Sequence, residues 1–413
     1  MNAENRRAYI WNTASGIISA VQSAVILIFI SRFLGVVEAG TFAIAYAIAN
    51  LVGVFAKYGV RNFQVTDMEE QFTFFTYLCA RITSILSSIV FLVVYLVMQV
   101  GCQKYTVDKA AVILGICVWK LLDAMEDVFI GAYQQKGKLS AGARYYTLRL
   151  SFSTVVYCGL IVCGFNLIYS TVLMVCMSSF ACICFCGISF YKFNMQNNSV
   201  CIKSLVSLLK VCFPLCIGTT LANYIGNAPK YTIDQYMSDS SQAYFGYIMM
   251  PAFVILLFSN FIYQPLVRNL GIVWGEGKPD KFLHMVFRQF AMVSGFTIMT
   301  VIAGARIGIP VLSFIYGVDL LVLKREFLLL MAGGGAYALV SYLAVILTTI
   351  RMQNWLAGGF IIAAFIYYIL GGVFVNRWDI LGVTLLYLLL NGILILGFTI
   401  CVFIKVKCRL NEV

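Results

Sequence analysis

The chain has 413 residues, 62% of them hydrophobic and 11% charged, with a formal net charge of +12. A water-soluble domain carries about 25% charged residues because its surface is solvated, so composition excludes a soluble fold and leaves a surface that faces lipid. The polar stretches between apolar runs are too short for an extramembrane domain, which argues against soluble enzymatic chemistry, and the basic residues form no stripe or motif that would argue for nucleic acid.

Measured against roughly 20 residues per membrane span, the apolar runs predict helices at 9–31, 38–60, 78–100, 108–131, 141–164, 168–190, 205–227, 242–266, 283–305, 327–350, 355–375 and 380–404. The expected fold is all-α integral membrane, with twelve transmembrane helices. The first run follows Arg6 and Arg7 as a signal peptide would, but it exceeds a signal's core of roughly 7–15 residues and is read as retained. Ile307–Tyr316 either extends the ninth helix or dips back as a separate segment. The polar stretch Tyr191–Ser204 divides six helices from six. The expected domains are an N-terminal six-helix lobe over 1–190, a cytoplasmic linker over 191–204 and a C-terminal six-helix lobe over 205–413. A faint repeat sets Leu34-Gly35 over Met237-Ser238, Gly40 over Ala243 and Phe42 over Phe245. Lobes related in this way enter the membrane in the same sense and enclose a central cavity.

With both termini in the cytoplasm, most of the 29 lysines and arginines fall on the inner side, Arg6, Arg7, Lys136, Lys138, Arg288 and Lys405 among them. The 14 cysteines sit mostly inside apolar runs, and no CxxC pattern points to a metal or a disulfide framework. His284, the single histidine, stands at the inner boundary. No catalytic residue, cofactor or metal is expected.

Charges inside a span mark function by default, because each costs several kcal/mol unless paired or hydrated. The fourth predicted helix holds Lys120, Asp123 and Asp127 at i, i+3 and i+7 on one stripe, with Glu126 turned to one side. Folding the next hairpin about Lys136 sets Asp123 level with Arg149 and brings Glu126 and Asp127 near Arg144. Three readings are open. The charges close a buried helix pair as salt bridges, or Glu126, Asp127 and Arg144 are hydrated at the cytoplasmic boundary. In the third reading Arg149, Lys120 and Arg144 face a wet cavity and attract an anionic substrate, while Asp123, Glu126 or Asp127 binds a coupling ion. That reading expects Arg149→Ala to abolish transport with the fold intact. Tyr145 and Tyr146 offer rings on which sugars stack. Lys230 and Asp234, spaced i, i+4 at the outer end of the seventh helix, form either a solvated helix end or a substrate- and ion-binding pair. Arg61 either snorkels to headgroups or binds substrate. Gly333-Gly334-Gly335 offers a bend in the tenth helix.

Ile30-Ser31-Arg32-Phe33-Leu34-Gly35, Gly40-Thr41-Phe42-Ala43, Lys57-Tyr58-Gly59-Val60-Arg61 and Phe213-Pro214-Leu215 together resemble bacterial Wzx-type polysaccharide flippases. These belong to the multidrug/oligosaccharidyl-lipid/polysaccharide exporter superfamily. The resemblance implies a two-lobe transporter in the bacterial cytoplasmic membrane that moves undecaprenyl-diphosphate-linked oligosaccharide units to the outer leaflet. It also implies coupling to a proton or sodium ion, and a polysaccharide polymerase and chain-length regulator as partners. Related lipid II flippases carry arginines in the first two helices, where this chain has Val25, Leu27 and Val52, and multidrug exporters often carry an acid in the first helix, where this chain has none. A lipid II or teichoic-type precursor flippase, and a multidrug or cation antiporter, are the alternatives. A membrane-embedded lipid-sugar polymerase or transferase is the competing class, and the short outer loops argue against it.

Overall fold

The computed structural model describes residues 3–67, 71–192 and 202–410, and these contain helices and no strand. In chain order they form α1 (Ala3–Phe33), α2 (Val36–Lys57), α3 (Val60–Thr66), α4 (Phe74–Gly101), α5 (Val107–Gln135), α6 (Leu139–Val162), α7 (Leu167–Lys192) and α8 (Ile202–Tyr236). Then follow α9 (Asp239–Tyr263), α10 (Val267–Gly275), α11 (Pro279–Ala303), α12 (Ile309–Tyr316), α13 (Lys324–Thr349) and α14 (Gln353–Leu410). Among the described residues ten helical stretches are long and apolar enough to cross a membrane, so this is a multi-pass membrane protein.

Two of the twelve expected spans are not among those ten, each for a visible reason. The α5 helix is long enough but carries Lys120, Asp123, Glu126 and Asp127 along its second half. It is shielded by α2, α3, α4, α6 and α7, all of which pack on it. The α14 stretch, 58 residues long, would measure almost 90 Å if straight, at about 1.5 Å per residue. It does not run straight: Trp378 and Asp379 leave the helical region, Asp379 with φ 51°. Gly382 lies so close to the Phe374 carbonyl that no Cβ fits. The two arms return side by side, with Phe360 against Phe398 and the Tyr367 hydroxyl on the Val383 carbonyl. Ile307–Tyr316 extends α11 through a π-helical turn at Gly304–Gly308.

Local sequence sets many helix starts. Thr73, Thr106 and Ser238 each accept a backbone N–H three residues on, the N-cap bond that satisfies an otherwise orphaned donor. Tyr58 and Gly59, at φ 50° and 69°, end α2 and turn the chain into the unpredicted α3. Leu215 packs into the space left by the missing Gly59 side chain, within 2.7 Å of where a Cβ would sit. Two segments that carried the family resemblance therefore touch.

The chain divides into two compact units, Met1–Asn223 and Tyr224–Val413. The break falls inside α8, whereas the sequence puts it at 191–204, of which 193–201 lie outside the described residues. The first part of α8 goes with the N-terminal helices because Leu208 and Cys212 are buried in a cluster with Val60, Tyr77 and Phe185.

Asp67 closes the loop after α3. Its carboxylate accepts the Tyr77 hydroxyl at 2.6 Å and the backbone N–H groups of Gln71 and Phe72 at 3.0 and 3.1 Å. Burial pushes this carboxyl up, but the three donors outweigh it and hold it below the usual carboxylate range. A lowered folded-state value contributes stability above the unfolded pKa, about 3.9, and loses it as pH falls through the folded value. Thermal melts of wild type and Asp67→Asn are therefore expected to differ at pH 6, and the difference to shrink as pH falls below the unfolded value of about 3.9.

In the C-terminal unit α13 is central, packed by α9, α11 and α14. Its triple glycine explains how three neighbours approach one helix. Gly333 faces the Tyr387 ring, Gly334 faces Ala252 and Gly335 faces Thr297, each too close for a Cβ. The α13 helix runs unbroken through them, and all three glycines serve packing. Gly335→Val is expected to cost about 1–3 kcal/mol or more by overpacking and to lower the melting temperature. Gly295→Ala, where nothing lies within 4 Å of the new methyl, leaves it unchanged or higher.

Candidate functional site

The functional candidates of the N-terminal unit radiate from α5. Successive residues are about 100° apart on a helix, so Glu126, Asp123 and Asp127 fan out in that order across one broad face. Glu126 lies on the α6 edge, where the Arg149 Nε donates to its carboxylate at 2.8 Å and the Tyr145 hydroxyl at 3.0 Å. Asp123, in the middle, accepts Arg149 Nη2 on one oxygen and Lys120 Nζ, at 3.3 Å, on the other. Asp127 lies on the far edge and takes Arg61 of α3 at 3.1 Å and Arg81 of α4 at 2.8 Å.

These groups differ sharply in access to water. Arg149 and Lys120 are buried, 3% and 6% exposed. Lys120 also sits 4.8 Å from the centroid of the Tyr46 ring, and Arg149 sits 5.5 Å from that of Tyr146. Arg81 is wholly buried and spends a second donor on the Ala56 carbonyl at 2.8 Å. The Arg61 side chain is 26% exposed. It donates to Gln134 Oε1 at 2.9 Å and lines a cavity of about 620 Å³ with Lys57, Gly59, Asp127, Gln134 and Thr219. Gly131 makes this approach of α3 to α5 feasible, since a Cβ there would run into the Gln64 side chain.

The charges fall into two groups. Lys120 and Arg149 are matched by Asp123 and Glu126, which leaves no net charge beside α6. Asp127 alone faces Arg61 and Arg81, and Lys57 adds its field to the same carboxylate, so the cavity end is net positive. An anion entering there meets Lys57 and Arg61, both half-buried in the cavity wall.

Several site residues stand differently from the sequence expectation. Among the described residues Arg144 forms no ion pair within 4.0 Å with Glu126 or Asp127. It lies five residues from Arg149, roughly 140° around α6, and faces Trp11 of α1 at 5.8 Å. Tyr145 has its ring stacked on Phe185 at 3.8 Å and its hydroxyl on Glu126, so one ring face and the hydroxyl are already occupied. Lys230 is no solvated helix end: it is 4% exposed, inside α8, with its ammonium 5.2 Å from the Phe253 ring. Asp234, one turn on, is half-buried. His284 is exposed. Neither Arg81 nor Lys57 stands among the site residues expected from the sequence. Arg81 carried a usable signal, a cation already inside the predicted span 78–100.

No family model matches the chain, and no curated protein matches it in sequence. Its structure is similar to solved membrane transporters along the whole length. One is an inward-facing multidrug-resistance MATE family transporter of the MOP superfamily, at TM-score 0.67 and 10% identity over 97% of this chain and 99% of that one. Another is an Asp-to-Asn variant of the Vibrio cholerae MATE transporter VcmN, at TM-score 0.64 and 10% identity over 100% and 98%. A third is a MOP superfamily transporter from Pyrococcus furiosus, at 0.50 and 13% over 98% and 93%, described as having a binding pocket of reversed polarity that suggests a different function. The chain thus has the fold of the MATE transporters of the MOP superfamily, a fold of membrane carriers.

Proposed function

We propose that this protein is an alternating-access flippase that moves an undecaprenyl-diphosphate-linked oligosaccharide across the bacterial cytoplasmic membrane, with both termini cytoplasmic and twelve crossings. The supporting observation is the cavity at Lys57 and Arg61, where two accessible cations exceed the one carboxylate beside them. A diphosphate must cross a low-dielectric slab, and a guanidinium grips phosphate oxygens with parallel hydrogen bonds, so a net-positive wet pocket lowers that barrier. The same pocket disfavours organic cations, which separates this reading from a multidrug antiporter.

Ion coupling in this reading runs through Asp123, Glu126 and Asp127. Each now holds an arginine and would exchange it for a proton or a sodium ion during the cycle. A polysaccharide polymerase and chain-length regulator are the expected partners on the outer side. Reconstitution into vesicles tests the substrate. Translocation of a fluorescent polyprenyl-diphosphate oligosaccharide is expected, without uptake of a cationic dye. Dye transport with no lipid translocation would overturn the reading.

A further inference from the structure

A second positively charged cavity, of about 660 Å³, lies between α1 and α6, shares no lining residue with the cavity at Lys57 and Arg61, and has Arg7, Trp11, Ser140, Arg144, Tyr145 and Leu148 in its wall. The two helices run side by side in the same direction. Thr147 Oγ1 donates to the Trp11 carbonyl at 3.3 Å, and further along Gln22 Nε2 donates to Thr154 Oγ1 at 2.8 Å. Their N-terminal ends therefore meet at this cavity, and both arginines there are exposed.

The charge at this end is only partly compensated: Arg7 and Arg144 exceed the single carboxylate of Glu4. Among the described residues no carboxylate lies within 4.0 Å of Arg7 or Arg144. Glu4 is the acid at this end, and its carboxylate is engaged by the Ser140 hydroxyl. Lys138, at the N-cap of α6, provides no side-chain cap for the first turn, so it adds positive charge without an acceptor. Two guanidiniums lining one cavity, with a single carboxylate near them, form a site for an anion.

The neighbouring surface selects which kind of anion. From the cavity wall a stripe of Leu148, Phe152 and Val155, at i, i+4 and i+7, runs along α6 into the apolar zone, 53%, 53% and 69% exposed. On α1, Ile10, Ile17 and Val21 are 53%, 42% and 42% exposed. A soluble phosphate would use the arginines and leave the stripe bare, whereas a lipid uses both. We propose that Arg7, Trp11 and Arg144 bind the phosphodiester headgroup of an anionic bilayer phospholipid, with an acyl chain along Leu148, Phe152 and Val155. The site is separate from the cavity proposed for the transported substrate and stands without that proposal.

Native mass spectrometry of the detergent-solubilised full chain tests this, with added phosphatidylglycerol or phosphatidylcholine of identical chains. One retained phosphatidylglycerol per protein is expected, with at least tenfold weaker retention of phosphatidylcholine. The double variant Arg7→Gln/Arg144→Gln is expected to lose that preference at least tenfold while melting as wild type does, because both side chains are exposed. Equal retention of the two lipids, or an unchanged preference in the double variant, would overturn the site. A third arm adds glycerol phosphate and polyprenyl diphosphate as competitors. Displacement by glycerol phosphate would remove the role of the apolar stripe, and displacement by polyprenyl diphosphate would assign the pocket to a carrier lipid. Either result defeats the proposal, and persistence of the phosphatidylglycerol adduct against both supports it.

Discussion

Arg149→Ala is expected to unfold or strongly destabilise the protein, in contrast to a silent loss of transport with the fold intact. The guanidinium is almost wholly buried and serves two carboxylates from one position, Asp123 and Glu126. Removing one partner of a buried pair costs about 3–5 kcal/mol, because the remaining charge is left without compensation. Asp123 keeps Lys120, but Glu126 keeps only the Tyr145 hydroxyl. The compensating variant Arg149→Met with Glu126→Gln removes one cation and one anion together and restores much of the loss. Thermal melting and size-exclusion profiles check both. A single Ala variant that melts with wild type would show that Arg149 is not a structural keystone and would reopen it as a substrate ligand.

Arg61→Gln gives the opposite pattern: near-wild-type melting with transport reduced about 10- to 150-fold. Its side chain is partly solvated, and Asp127 retains Arg81 when Arg61 is gone, so no buried charge is orphaned. What is lost is a charge-assisted contact to the phosphate groups, about 1.5–3 kcal/mol, and about 1.4 kcal/mol corresponds to a factor of ten. Lys57→Gln is expected to act in the same direction, and the double variant more strongly. Initial rates of lipid translocation in vesicles, beside melts of the same preparations, separate the two effects. Wild-type flux in the Arg61 variant would remove the cavity from the transport path.

The two variants divide a set of charges that looked uniform along the sequence. Spacing put Lys120, Asp123 and Asp127 on one stripe, which is correct as helix geometry, and a hairpin argument matched Asp123 with Arg149, which the structure contains. The same argument sent Glu126 and Asp127 to Arg144. That failed because it considered one hairpin, while Asp127 is claimed by arginines from α3 and α4. The α3 helix itself was illegible as a separate element, since the two backbone residues with positive φ at Tyr58 and Gly59 lie within one continuous apolar run.

Composition and periodicity by themselves determined that the chain lives in lipid, where most of its long helices lie, and that α5 carries an unusual charge load. Those properties depend on transfer from water and on the pitch of a helix, both of which are local. Only the tertiary structure decided which cation meets which acid and which cations keep access to water. Pairing depends on the rotation and approach of separate helices, set by contacts such as Gly131 against Gln64 and Gly59 against Leu215. A charge's role in a membrane follows from whether its neighbours neutralise it, and no residue's own position in the sequence carries that information.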